Sequence, residues 1–209
     1  MVTEQQQTNG LETLARAYLR ASADLKQKVA DECLQQILDA ASLITETFRG
    51  GGKVLLCGNG GSAADCQHMA AEFVSVLNQS FTRRALPAVA LTTDSSFLTA
   101  YSNDFGYDGV FERQVEALGR PGDLLLGIST SGNSRNVVRA IEASRAAEMS
   151  SIVLTGLGGG RLAERATIAI SVPCTETQHI QEAHLAIEHL ICELVERQLF
   201  AEERQPTKA

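Results

Sequence analysis

The chain has 209 residues, 44% of them hydrophobic and only 5% aromatic, with no Trp and a formal net charge of -7. That size and apolar share suit a single domain with a full core, and the acidic balance argues against a general nucleic-acid partner, because a phosphate backbone calls for a basic surface. No apolar run approaches the ~18 residues of a membrane span and no basic-apolar leader opens the chain, so a cytoplasmic protein without a membrane partner is expected.

In chain order, residues 1–9 read as a polar tail, and two amphipathic helices follow near Leu11 to Leu25 and Val29 to Phe48, stopping at Gly50-Gly51-Gly52. Strands are expected near Lys53 to Gly58, Ala88 to Thr92, Asp123 to Ser129, Ser151 to Thr155 and Ile168 to Val172, with helical patterns between them. One long helix from Ile180 to Phe200 closes the pattern, and residues 201–209 form a second polar tail. Five short apolar strands joined through helices imply an α/β fold: a doubly wound, parallel five-stranded sheet in a three-layer αβα sandwich, with the N-terminal helical pair included in one domain over residues 10–200. Cys33, Cys57, Cys66, Cys174 and Cys192 are odd in number, scattered and without CxxC spacing, which points to reduced thiols rather than a disulfide framework.

Two strand-to-helix loops carry the chemistry. Leu124, Leu125, Leu126 and Ile128 run into Ser129, Thr130, Ser131, Gly132, Asn133 and Ser134 before the next helical pattern begins. Four hydroxyls in six residues, beside the unpaired N–H groups and positive dipole end of a helix, make an anion site. Upstream, Val54 to Cys57 leads through Gly58-Asn59-Gly60-Gly61-Ser62, where the glycines allow close backbone approach. This loop matches neither GxGxxG nor GxxxxGK[ST], which argues against NAD and ATP. Together the loops suggest a polyhydroxylated phosphate held at the carboxyl ends of the strands.

Two helical clusters can supply acid–base or metal chemistry. His68 and Glu72 are i and i+4 on the helix after the first loop, so they share a face. Gln181, Glu182, His184, Glu188 and His189 open the last helix, where His184 and Glu188 form the i, i+4 pair and Gln181 and His189 stand about 80° apart around the axis. Spacing leaves open which of these residues act.

CGNGGS, the HxxxE of His68 to Glu72, Asn103-Asp104-Phe105-Gly106, GISTSGNS and the IQExHxxxxH of Ile180 to His189 together resemble the phosphoheptose isomerase family of the sugar isomerase (SIS) domain superfamily, from about Leu11 to Phe200. The resemblance implies a flavodoxin-like SIS domain that forms a homotetramer, with sites at subunit interfaces and one zinc ion per subunit. It also implies conversion of sedoheptulose 7-phosphate to D-glycero-D-manno-heptose 7-phosphate through an enediol(ate), the first step of ADP/GDP-heptose precursor synthesis. Carried over by position, it makes His68, Glu72, Gln181 and His189 the metal ligands, Glu72 the general base and His189 the general acid. Asn59, Gly60, Gly61, Glu72, Asn103, Asp104, Ser129, Thr130, Ser131, Ser134 and Gln181 would contact the sugar phosphate. His184 also matches the pattern and is read as supporting the metal ligands or as structural, and Asp65 as a group that could orient a substrate hydroxyl. Ala71 stands where relatives often have a second acid.

The alternative reading is a non-catalytic SIS protein that binds the replication initiator DnaA, which would need no acid or base at positions 72 and 189. In a tetramer, closed symmetry is expected to bring His189 of one subunit toward the Gly58–Ser62 loop of a neighbour.

Overall fold

The computed structural model describes residues 4–79 and 81–201, so residues 1–3 and 202–209 of the expected tails lie outside it. The chain enters through α1 (Glu4–Glu32) and α2 (Leu34–Arg49). The junction falls at Cys33 rather than between residues 25 and 29. Cys33 has φ -112 and ψ -1, yet Cys33 N–H donates to the Val29 carbonyl at 2.9 Å and Ile37 N–H to the Cys33 carbonyl at 3.1 Å. Leu25, Val29, Cys33 and Ile37, spaced by fours, are all buried, so one apolar stripe runs through the bend. Neither Gly nor Pro marks the place, which is why the sequence pattern misplaces it.

The sheet comprises β1 (Val54–Gly58), β2 (Ala88–Ala90), β3 (Leu124–Ser129), β4 (Ser150–Thr155) and β5 (Ile168–Ser171), in the order β2-β1-β3-β4-β5, and every pairing is parallel. Burial on both sides explains why β1 and β3 read as unbroken apolar runs. Alternation then sorts the side chains. Val54, Leu56, Leu124, Leu126, Ile152 and Leu154 join a core shared with α2, α3 (Gly61–Val74) and α8 (Thr177–Leu199). Leu55, Cys57, Leu125 and Val153 join the opposite core, with α5 (Val110–Leu118) and α6 (Arg135–Ala146). The remaining helices are α4 (Ser95–Phe105) and the single turn α7 (Gly160–Ala163).

With this strand order the connections leave β1 and β3 in opposite directions, which makes the gap between their carboxyl ends the topological switch point. Both suspected loops end there. Among the described residues all five cysteines are free, and no helix is long and apolar enough to cross a membrane.

Candidate active site

The loop after β3 is a hydroxyl cup at the start of α6. Ser129 Oγ lies 2.9 Å from Ser134 Oγ and 3.4 Å from Ser131 Oγ, and Asn133 N–H donates to Ser131 Oγ. Ser134 occupies the N-cap of α6 without making a side-chain cap bond, so the first N–H groups of the helix face the same space as the hydroxyls. The cup is fixed from behind: Gly156 N–H donates to the Thr130 carbonyl, Leu162 N–H to the Gly132 carbonyl and Arg161 N–H to Asn133 Oδ1.

Across the switch point, Asn59 is locked to the buried Asn136 of α6 by two reciprocal amide bonds of 2.9 and 2.8 Å, and Tyr107 O–H donates to Asn59 Oδ1 at 3.1 Å. The first loop is thereby tied to the second. Gly60 and Gly61 begin α3, and a Cβ placed on Gly61 would lie 2.1 Å from Nε2 of Gln181. The Gln181 amide therefore rests directly on the Gly61 backbone. Asn103 and Asp104, by contrast, are exposed near the end of α4, with the Asn103 amide donating to Asp104 Oδ1. That helix has no buried residue, and its final Phe105 is 74% exposed.

His68 and His189 meet within one chain, with their Nε2 atoms 2.7 Å apart and Glu72 Oε1 3.7 Å from His68 Nε2. The donor atoms of His68, Glu72 and His189 all lie within 4.8 Å of one another, each side chain half-buried. Two imidazole nitrogens and a carboxylate oxygen facing one point form a donor set suited to a divalent transition metal or zinc, and the ring nitrogens facing each other are what such an ion would separate. Because α3 and α8 pack together in one subunit, His68, Glu72 and His189 converge without a contribution from a second chain.

Beneath this cluster sit polar groups with unusual surroundings. Glu188 is 1% exposed, and neither of its carboxyl oxygens has a hydrogen-bond partner among the described residues. Burial, with the nearby Asp65 carboxylate adding to it, pushes its pKa up to about 8, so it is protonated at neutral pH. Asp65 is itself raised by burial, and its Oδ2 is unpartnered. His184 is fully buried, and its Nε2 donates to the Thr155 carbonyl at 3.1 Å rather than meeting Glu188. Burial depresses its pKa to about 4, leaving a neutral imidazole that fastens α8 to the end of β4.

One neighbour of the site has no counterpart in the sequence reading. Arg83, in the connection before β2, forms a fully buried ion pair with Glu196 and donates to backbone carbonyls at the end of α3. One of two adjacent arginines in a connecting segment carries no periodic or motif signal.

Residues 17–156 match the family model described as the SIS domain, which places the fold and its two loops in that class of protein. The chain is 52% identical over 184 residues to the phosphoheptose isomerase of Roseiflexus sp. (strain RS-1), covering 88% of this chain and 92% of the relative. It is 50% identical over 186 residues to that of Rhodospirillum rubrum, covering 89% and 97%. Among solved structures, a phosphoheptose isomerase from Neisseria gonorrhoeae superposes with a TM-score of 0.84 at 43% identity, covering 89% of this chain and 98% of that one. The chain belongs to the phosphoheptose isomerase family. The reading as a DnaA-binding SIS protein is not supported by these relatives.

Proposed function

We propose that the protein isomerises sedoheptulose 7-phosphate to D-glycero-D-manno-heptose 7-phosphate, with Glu72 as base and His189 as acid. The observation that carries this reading is the convergence of Glu72, His68 and His189 beside two loops built for a phosphorylated polyol. Moving a hydrogen between C1 and C2 requires removal of a carbon-bound proton too weakly acidic to leave unassisted. The Glu72 carboxylate takes that proton from C1 and returns it to C2, while the His189 imidazole exchanges protons at the adjoining oxygens. His68, Glu72, Gln181 and His189 would hold one zinc ion, and a divalent cation there supplies electrostatic stabilisation to enediolate oxygens.

The hydroxyls of Ser129, Thr130, Ser131 and Ser134, with the start of α6, bind the phosphate far from the reacting carbons, so its binding energy fixes the chain in register. Asn59, with Gly60 and Gly61, faces the sugar. We assign Asn103 and Asp104 to the same role across a subunit boundary, supported by their exposure on a helix with no buried residue. A homotetramer in the cytoplasm is the state in which we expect the enzyme to work.

Incubating purified protein with sedoheptulose 7-phosphate in D2O and following the sugar by NMR tests the proposal. An aldose carrying deuterium at C2 is the expected product, and an unchanged ketose in the presence of added zinc would refute it.

A further inference from the structure

The helices bearing the acid–base residues, α3 and α8, run in the same direction and touch at three levels. Gln181 lies on Gly61, His189 meets His68, and at the far end Glu196 reaches the last turn of α3 through Arg83. The first two levels consist of groups assigned to substrate and metal. The third does not.

Arg83 is saturated. Its Nε donates to Glu196 Oε1 at 2.7 Å, Nη2 to the Glu72 carbonyl at 2.8 Å, and Nη1 to the Phe73 and Arg84 carbonyls at 2.9 and 3.0 Å. Both side chains of the ion pair are 0% exposed, and the buried Phe200 ring stands 5.9 Å from the guanidinium carbon. Glu196 Oε1 also accepts from Leu77 N–H. The last four carbonyls of any helix lack intrahelical partners, and a cation there suits the dipole. Arg83 supplies this cap from outside the helix, and one of the carbonyls it holds belongs to Glu72 itself. On α8, Glu196 follows His189 by seven residues, within about 20° of the same face.

We propose that Arg83, anchored by Glu196, is a positioning residue for the isomerase site: it pins α8 against the end of α3 and so sets the separation of Glu72 and His189. This inference rests on the function proposed above. Removing the pin leaves the phosphate cup untouched, because Ser129 to Ser134 are held by the chain around Gly156 to Leu162. The loss must therefore appear in turnover and in metal affinity rather than in substrate affinity.

Arg83→Met alone would leave the buried Glu196 carboxylate without its counter-charge, so the informative variant removes both charges, Arg83→Met with Glu196→Leu, which keeps apolar volume. Arg83→Lys is the companion, retaining the charge but unable to span Glu196 and two carbonyls together. Zinc affinity is measured by chelator competition, thermal midpoint on metal-free protein, and kcat and KM with sedoheptulose 7-phosphate. We expect zinc affinity and kcat each to fall about tenfold or more in both variants, with KM within about twofold of the parent. A purely structural pair would lower the thermal midpoint and leave affinity and kcat of the folded protein unchanged; that result in either folded variant overturns the proposal. Failure of the unsubstituted protein to bind zinc or turn over the sugar would instead overturn the function it rests on.

Discussion

At the scale of the residue, the site separates groups that act from groups that hold. Glu72→Gln preserves size and most hydrogen bonding while removing the base, so kcat should drop on the order of a hundredfold or more with the thermal midpoint retained; His189→Gln should do likewise. Near-normal turnover in either, measured with sedoheptulose 7-phosphate, would show the roles to be wrongly assigned. The buried pair His184 and Glu188 makes a different prediction, about pH. His184 has a folded pKa depressed from 6.5 to about 4, so the stability it confers is present above pH 6.5 and lost as pH falls toward 4, about 3 kcal/mol in all. Glu188 has the opposite sign: raised from 4.5 to about 8, it stabilises the fold most below pH 4.5 and progressively less up to pH 8. Between pH 4.5 and 6.5 the two slopes offset one another. Thermal midpoints of metal-free His184→Gln should therefore decline from pH 4.5 to 8, whereas those of Glu188→Gln should climb from pH 4 to 6.5 and then level. Slopes of the same sign in the two variants would contradict this pairing.

Among the elements, the loops that begin α3 and α6 look alike in sequence but respond differently to a methyl group. Gly132 has φ +65, and its Cβ would sit 2.1 Å from the Gly159 carbonyl oxygen, a rigid backbone atom. Gly132→Ala should cost about 1–3 kcal/mol or more in strain and raise KM by deforming the cup. At Gly61 the three atoms nearest an added Cβ all belong to the flexible Gln181 side chain and there is no left-handed φ to defend, so Gly61→Ala should leave stability near that of the parent while displacing the amide and weakening zinc binding. Chelator competition and thermal melts distinguish the two; equal losses of stability would mean that Gln181 is not what Gly61 accommodates. The strands, their parallel arrangement and both loops were legible in the sequence because apolar runs and Gly/Ser clusters are local signals. The partners of those signals were not. Nothing local tells that Asn59 pairs with Asn136, that His189 selects His68 of its own chain, or that Arg83 reaches Glu72 and Glu196, since each joins segments far apart in sequence. The bend at Cys33 leaves no local signal for the converse reason: its apolar stripe never breaks.

For the whole molecule, the N-terminal helix is the conspicuous loose end. Leu11, Leu14 and Leu19 of α1 are 67%, 65% and 69% exposed, and an apolar groove between α1, α2 and α8 includes Val29, Ile37, Ala183 and Ile187. Surfaces of this kind are usually covered, here on our reading by further copies of the chain. Replacing Leu11, Leu14 and Leu19 by Ser should convert a tetramer to smaller species in sedimentation velocity, and an unchanged mass would remove α1 from the interface. Because Glu72 and His189 share a subunit, mixing Glu72→Gln with His189→Gln chains should restore no activity, whereas mixing Glu72→Gln with Asp104→Asn should restore part of it if Asp104 serves a neighbour. The strand order has a wider consequence. The chain following β1 folds onto one side of the sheet and the chain following β3 onto the other, so the layer that handles protons and the layer that handles phosphate have separate cores on opposite faces of the sheet. Such a division leaves the Asn59–Asn136 bridge as a link across the switch point: away from it, a lineage can retain its grip on a phosphorylated ligand while its chemistry is rewritten or abandoned, with the sheet acting as a firewall between the two inheritances.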